Sequence, residues 1–207
     1  MVRRLLLVSI LLALFARPAS ASTIFFDSFS PQQAGWSRVG SAGPAAGYLG
    51  ELNDWPGVTD VSLTVVSAIG GSGALEFDLI AFRSLDGWNC CYDILTLNIN
   101  GSEAFVGAFV YGWPGASYFT SNPSGASFSP IEVFYPDGRG IYHFTVPFAL
   151  LAGVNTFTWS YSISQPTWDE AFGLDNVGVI ATPEPISLLL TGIGLTGAAW
   201  IRRRRRE

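Results

Sequence analysis

Between Ser22 and Ala181 runs in which apolar residues recur at every second position are frequent, and that period is the tightest constraint on what the chain can become. Leu75, Phe77, Leu79 and Ala81 fall on one side of a run whose other side carries Glu76 and Asp78. Leu95, Leu97 and Ile99 alternate with Thr96 and Asn98, and Asn100-Gly101 follows as a hairpin turn. Tyr142, Phe144 and Val146 alternate with His143 and Thr145; Phe157, Trp159, Tyr161 and Ile163 alternate with Thr158, Ser160 and Ser162. One apolar face and one wet face mark antiparallel sheet. No window of this span carries the period of an amphipathic helix. Gly70-Gly71-Ser72-Gly73, Asn122-Pro123-Ser124-Gly125 and Pro136-Asp137-Gly138 punctuate the runs as turns. The expectation is an all-β chain: one antiparallel β-sandwich of about eight or more strands in jelly-roll connection over 22–181, without internal repeat or second domain.

Charge narrows the partners. Ser22 to Ala181 holds 14 acids against three bases, Arg38, Arg83 and Arg139. Such a surface repels phosphate backbones and excludes nucleic acid as a partner. The single histidine, His143, excludes a His-rich metal site, fits Ser-His chemistry poorly, and falls on the polar side of its run, where it is expected to be solvated.

The remaining arginines lie at the two ends, and the ends read as addresses. Met1 to Arg4 is a short basic start, Leu5 to Phe15 is apolar apart from Ser9, and Ala19-Ser20-Ala21 offers small residues to signal peptidase. Residues 1–21 therefore read as a secretory signal peptide for the Sec machinery, too short to span a membrane comfortably; an uncleaved anchor is the alternative. Over 182–207, Pro183-Glu184-Pro185 precedes an uncharged run, Ile186 to Ile201, and then Arg202, Arg203, Arg204, Arg205 and Arg206. A helix over that run is about 24 Å long, a little short of a hydrocarbon core of about 30 Å. Trp200 suits the interface, and the arginines resist translocation, so the span leaves the middle of the chain outside. Gly192, Gly194 and Gly197 permit close approach of a partner helix.

This order of tripeptide, apolar span and arginine cluster resembles the PEP-CTERM sorting signal recognised by exosortases. The resemblance implies an inner-membrane-anchored precursor, recognition by an exosortase whose own residues do the chemistry, removal of the tail, and delivery to the cell surface or exopolysaccharide matrix of a biofilm-forming bacterium with an outer membrane. An ordinary C-terminal membrane anchor is the alternative. Inside the sandwich, Ser84-Leu85-Asp86-Gly87-Trp88 with Asp93, Leu95, Leu97 and Asn100-Gly101 resembles secreted lectin-like jelly rolls of bacteria. Trp168-Asp169-Glu170-Ala171-Phe172-Gly173-Leu174-Asp175-Asn176-Val177 resembles the closing strand of those domains and of MAM-type sandwiches. Phe25-Phe26-Asp27-Ser28-Phe29, with Trp36, fits as the opening strand. These likenesses imply a fold more than a ligand.

Several residues invite chemistry. Asp27 shares a face with Phe25 and Phe29, and Asp175 with Val177 and Val179, so both carboxylates are expected to point inward. A buried carboxylate needs a hydrogen-bonding, ionic or metal partner. First and last strands meet in a jelly roll, and bases are few, so Ca²⁺ is a candidate counter-charge for Asp27, Asp175, Glu170 and Asp86, with Asp93 and Asp169 to help. The competing reading makes these acids turn caps and strand ends in water, with no cofactor. Cys90 and Cys91 are neighbours, about 3.8 Å between Cα atoms, below the usual disulfide range; a vicinal disulfide, an intermolecular bridge and free thiols all stay open. Trp55, Trp88, Trp113 and Trp168 sit beside Pro, Gly or Asp, as loop residues do. They either plug the sandwich ends or stack on sugar rings. Glu76-Phe77-Asp78 matches part of a jelly-roll glycosidase strand, but the second carboxylate that flanks the bond is missing, and there is no nucleophile elbow. The expected function is non-catalytic: a structural or adhesive matrix or surface protein that meets extracellular polysaccharide. A lectin-like module, with or without calcium, is the alternative, and a glycosidase a distant one.

In a host that carries an exosortase, replacing Pro183-Glu184-Pro185 by alanines should leave a full-length, membrane-retained chain. Mass spectrometry of the C-terminus checks this; identical mature termini in mutant and parent would defeat the sorting assignment.

Overall fold

In a computed structural model of the chain, residues 21–38, 47–87, 91–110, 116–132, 139–182 and 194 are described. Residues 1–20 of the segment read as a signal peptide, residues 183–207 other than 194 of the segment read as a sorting signal, Trp88, Cys90, Trp113 and Pro136-Asp137-Gly138 lie outside them. Among the described residues no helix is long and apolar enough to cross a membrane.

The two-residue period becomes eleven described strands: β1 (Ser22–Asp27), β2 (Leu49–Leu52), β3 (Val58–Ser67), β4 (Gly71–Arg83), β5 (Ile94–Ile99), β6 (Ser102–Ala108), β7 (Tyr118–Ser121), β8 (Ser127–Glu132), β9 (Arg139–Leu150), β10 (Gly153–Ser162) and β11 (Glu170–Thr182). One sheet runs β1-β11-β4-β9-β8, with β2 also on β11; the other runs β3-β10-β5-β6-β7. Its inner quartets, β1-β11-β4-β9 and β3-β10-β5-β6, are in jelly-roll order. Each register given for a strand pair is antiparallel. Within Ser22–Ala181 the two sheets form one compact unit.

The apolar faces read from the alternation all turn inward. Leu75, Phe77, Leu79, Ala81, Leu95, Leu97, Tyr142, Phe144, Val146, Phe157, Trp159 and Tyr161 are inaccessible to solvent, and Ile99 and Ile163 are buried. Aromatic rings fill much of the space between the sheets. Phe144 stacks on Phe77 at 4.7 Å and lies 5.4 Å from Phe105. Trp159 meets Trp36 at 5.7 Å and the edge of Phe77 at 5.5 Å. The β5–β6 turn is the one foreseen: Asn100 and Gly101 have φ of 53° and 77°, the double positive that a two-residue hairpin of matching twist demands.

One facing differs from expectation. Leu174 and Val177 both belong to the core, so two residues rather than one separate them. Asn176 takes up the extra residue at φ 48°, as in a β-bulge. The bulge rotates Asp175 off the inward face, and it lies half-buried beside an exposed Asn176. His143 faces outward and is partly exposed, as expected, and its Nδ1 also lies 2.8 Å from Asp78 Oδ1 directly across the β4–β9 pair.

Strand pairing also gives the sandwich two unlike ends. Ser22 pairs with Ala181, so the chain enters and leaves at one end. The β2–β3, β4–β5 and β10–β11 loops lie at the other, where Ser84 N donates to Asp169 O at 3.0 Å.

Trp159 Nε1 is buried without a hydrogen-bond partner. Trp159→Ala should cost about 3–5 kcal/mol by opening a cavity. Trp159→Phe should cost clearly less, because it also removes the orphaned donor. Denaturant midpoints measure both, and equal losses would contradict this packing.

Candidate functional site

The loop end opposite Ser22 and Ala181 carries three exposed aromatic residues. Trp55 is on the β2–β3 loop, Tyr92 on β4–β5 and Trp168 on β10–β11; they are 48%, 64% and 75% exposed. An end plug would be buried, and these are not. Trp88 and Trp113, named with them from the sequence, lie outside the described residues. Tyr92 was not foreseen. Its one sequence signal is its place between the Cys90-Cys91 pair and Asp93, and nothing in that pattern reports exposure.

Polar side chains lace the three loops together. Asn53 Nδ2 donates to Gln165 O at 2.8 Å and to Glu170 O at 2.7 Å, while its Oδ1 accepts from Trp55 N at 2.7 Å. Ser84 Oγ donates to Asp169 Oδ1 at 2.7 Å. Asp93 accepts from Asp86 N at 2.9 Å and from Ser164 N at 3.2 Å. Arg83 pairs with Glu51 and donates to Thr167 O at 2.9 Å; Arg38 pairs with Asp54. Cys91 is disulfide-bonded, and the chain's other cysteine, Cys90, lies outside the described residues.

Beneath the loops sit two carboxyl groups with no solvent exposure, Asp93 and Glu170. Gln165 donates to Glu170 through its backbone N and its Nε2, each at 3.0 Å. Burial, then the neighbouring charge and hydrogen bond of Asp93, push Glu170 up to about 7. A proton held between the two relieves their repulsion. Asp86 is raised as well, by burial first and then by Asp93 and Asp169. The same burial, with Asp93 nearby, raises Tyr161 well above its ordinary range.

The acids named for calcium do not form one set. Asp86 and Glu170 belong to this loop end. Asp27 and Asp175 lie elsewhere: Asp175 is five residue steps along β11 from Glu170, about 16 Å of strand. Asp27 is buried as foreseen, and three N–H groups donate to its oxygens. Phe29 N at 2.7 Å, Gln33 N at 2.8 Å and Trp36 Nε1 at 2.9 Å all donate to it. It organises the turn after β1. Asp175 is pushed up to about 6, by burial first and then by Asp78 and Asp27, against a lowering hydrogen bond from Asn176 N. Among the described residues no group of three or more His, Cys, Asp or Glu side chains is disposed to hold a metal ion. Asp78, half of the glycosidase-like pair, is bound to His143 and to Asn176 Nδ2 at 2.8 Å.

No family model matches the chain, and no curated protein matches it. Among solved structures it is similar to the CBM35 module of Cellvibrio japonicus Abf62, at 14% identity over 79% of this chain and 95% of that one, with a TM-score of 0.42. It is similar to Xyl-CBM35, solved with a disaccharide containing glucuronic acid, at 12% identity over 80% and 95%, TM-score 0.39. It is also similar to a family 35 carbohydrate-binding module from Clostridium thermocellum, at 15% identity over 66% and 81%, TM-score 0.33. Overlap this partial carries no ligand from those modules to this chain.

Glu170 fixes a pH dependence whose sign is clear. Its folded value, about 7, lies above its ordinary 4.5. Between those values the folded chain holds a proton that the unfolded chain has lost, so stability falls as pH rises through this window. The contribution is on the order of 3 kcal/mol. Asp175, raised in the same direction, adds to it at lower pH. Glu170→Gln keeps a neutral group in place and should flatten the upper part of the profile. Melting temperatures measured across the window check this; a parent whose stability rises with pH there would contradict the buried pair.

Proposed function

We propose that this is an exported, exosortase-sorted protein whose sandwich binds polysaccharide through the aromatic loop end. The observation that carries the reading is the exposure of Trp55, Tyr92 and Trp168 on three loops that hydrogen bonds hold together. Large aromatic side chains in water are costly unless a partner covers them. Flat rings on fixed loops suit the apolar faces of sugar rings, and neighbouring acceptors such as Asp86 and Asp169 suit their hydroxyls. The acids at this end favour a neutral glycan over an anionic one.

The role is binding, not bond cleavage. Asp78 is engaged by His143 and Asn176, and the sequence lacks the flanking carboxylate that glycoside hydrolysis needs. Delivery rests on the signal peptide and on the order of Pro183-Glu184-Pro185, apolar span and arginines. In this reading the Sec machinery exports the chain, the exosortase handles the tail, and the freed sandwich joins the surface or the exopolysaccharide matrix.

Titration against a panel of neutral and acidic oligosaccharides tests the proposal. Trp168→Ala and Trp55→Ala should each weaken binding to a neutral glycan by about tenfold or more, since tenfold corresponds to about 1.4 kcal/mol and well-placed aromatic contacts contribute about 2 kcal/mol. Melting temperatures should not move, because both side chains are exposed. Failure of the parent to bind any glycan, or full affinity in both variants, would return the sandwich to a purely structural role.

A further inference from the structure

At the end from which the chain leaves the sandwich, two neighbouring turns are apolar, beside the polar turns at Asn100-Gly101 and Asn122-Pro123-Ser124-Gly125. The β3–β4 turn reads Val66-Ser67-Ala68-Ile69-Gly70-Gly71, and the β9–β10 turn reads Leu150-Leu151-Ala152-Gly153-Val154, with no charged residue in either. Turn tips are ordinarily polar. Here Ile69 is 53% exposed, Leu151 47%, and the cross-strand pair Val66 and Val154 70% and 58%. The two turns touch: a Cβ on Gly70 would come within 3.1 Å of Ala152 N. A cleft of about 320 Å³ beside Pro147, Phe148 and Leu151 extends the same surface, and the one acid lining it, Glu103, accepts a hydrogen bond from Ser121 Oγ at 2.6 Å. Ser22 and Ala181 pair at this end.

Chain length says what meets this surface. Only Pro183, Glu184 and Pro185 separate Thr182 from Ile186. A fully extended link of that length reaches about 14 Å. If Ile186 begins a membrane span, the exit end of the sandwich is held at the depth of the lipid headgroups. Acidic side chains there would meet the low-dielectric boundary at a cost; isoleucine, leucine and valine gain by entering it.

We propose that the turn tips at Ile69 and Leu151, with Val66 and Val154, are a membrane-contact surface that seats the tail-anchored precursor on the outer leaflet of the bilayer its tail crosses. The proposal rests on reading 186–201 as a membrane span, as the function above does for sorting. Seating keeps the aromatic loops at the far end clear of lipid.

The test uses the full chain in vesicles of phosphatidylcholine with a minority of phosphatidylglycerol. Flotation comes first. The photo-reactive residue p-benzoylphenylalanine is then placed at Ile69, at Leu151 or at Trp168, irradiated, and its adducts identified by mass spectrometry. Lipid adducts from Ile69 and Leu151 but none from Trp168 are expected. Adding Val66→Asp and Val154→Asp to the Leu151-labelled chain should abolish its adduct while the chain still floats. A chain that does not float defeats the membrane-span reading and this proposal with it. One that floats without lipid adducts, gives them equally from Trp168, or cross-links at Leu151 to a second copy of itself overturns the contact surface alone.

Discussion

Pairing of the first strand with the last organises this sandwich. β1 lies antiparallel on β11, from Ser22 opposite Ala181 to Asp27 opposite Val177. Without it β11 would keep only β4 and the short β2 as neighbours, and the core positions Val177 and Val179 would lie at an open edge. Closing the sheet also decides where everything else goes. It brings both chain exits to one end, which leaves the loops with Trp55, Tyr92 and Trp168 at the other. Asp27 makes the closure local as well as long-range. Buried at the end of β1, it collects three N–H donors from the next nine residues and so holds Trp36 against Trp159 in the core. A buried carboxylate would be a liability alone; with three donors it fixes a turn.

The opposite end solves a harder electrostatic problem. Asp93 and Glu170 are both out of water, and the nearby bases Arg83 and Arg38 are engaged with Glu51 and Asp54. Hydrogen bonds and a retained proton take the place of a counter-ion. The arrangement trades stability for position. Glu170 receives two donors from Gln165, while Gln165 O and Glu170 O both accept from Asn53. The acids are therefore the pegs to which the aromatic loops are tied, and the loops' order depends on how well those pegs tolerate burial.

How far this was legible from the sequence depended on whether a feature was local. The faces of β4, β5, β9 and β10 follow from a period of two, because one face of each is dry. The Asn100-Gly101 turn follows from the φ > 0 that both positions must adopt. Asp175 was misread because one extra residue at Asn176 shifts the phase, and a periodicity argument has no signal for a bulge. His143 lies 65 residues from Asp78 in sequence, and Asn53 lies 117 from Glu170; such pairs appear only once register and loop packing are known. The four acids named for calcium are spread apart for the same reason: Glu170 and Asp175 stand at different points of β11, Asp27 ends β1 and Asp86 lies on the β4–β5 loop, and none of that placement is local information. That the tryptophans belonged to loops was legible; that Trp55 and Trp168 would stand in water, joined by Tyr92, was not.

What results is a sandwich polarised along the strands. Aromatic and acidic loops occupy one end; at the other, two uncharged apolar turns stand beside the polar turns at Asn100-Gly101 and Asn122-Pro123-Ser124-Gly125. Composition alone hides this, since the acidic excess is a property of the whole span. The polarity arises because each strand connects two ends of different character: β4 runs from Gly71-Ser72-Gly73 to Arg83, and β10 from Gly153-Val154 to Ser162. A sheet whose faces are set by alternation leaves its ends free to differ, as turn residues contribute little to the core. A chain that must meet two environments, one at its point of attachment and one at its binding surface, can therefore encode them separately in its turns. The burial pattern agrees with that division. Among the described residues, the buried carboxyl groups of Asp93 and Glu170 anchor loops under the aromatic end, whereas the buried neutral side chains of Ser67 and Asn155 hold the tight turns of Ile69 and Leu151. One end is built to hold loops in a fixed shape; the other needs only short turns and an apolar surface.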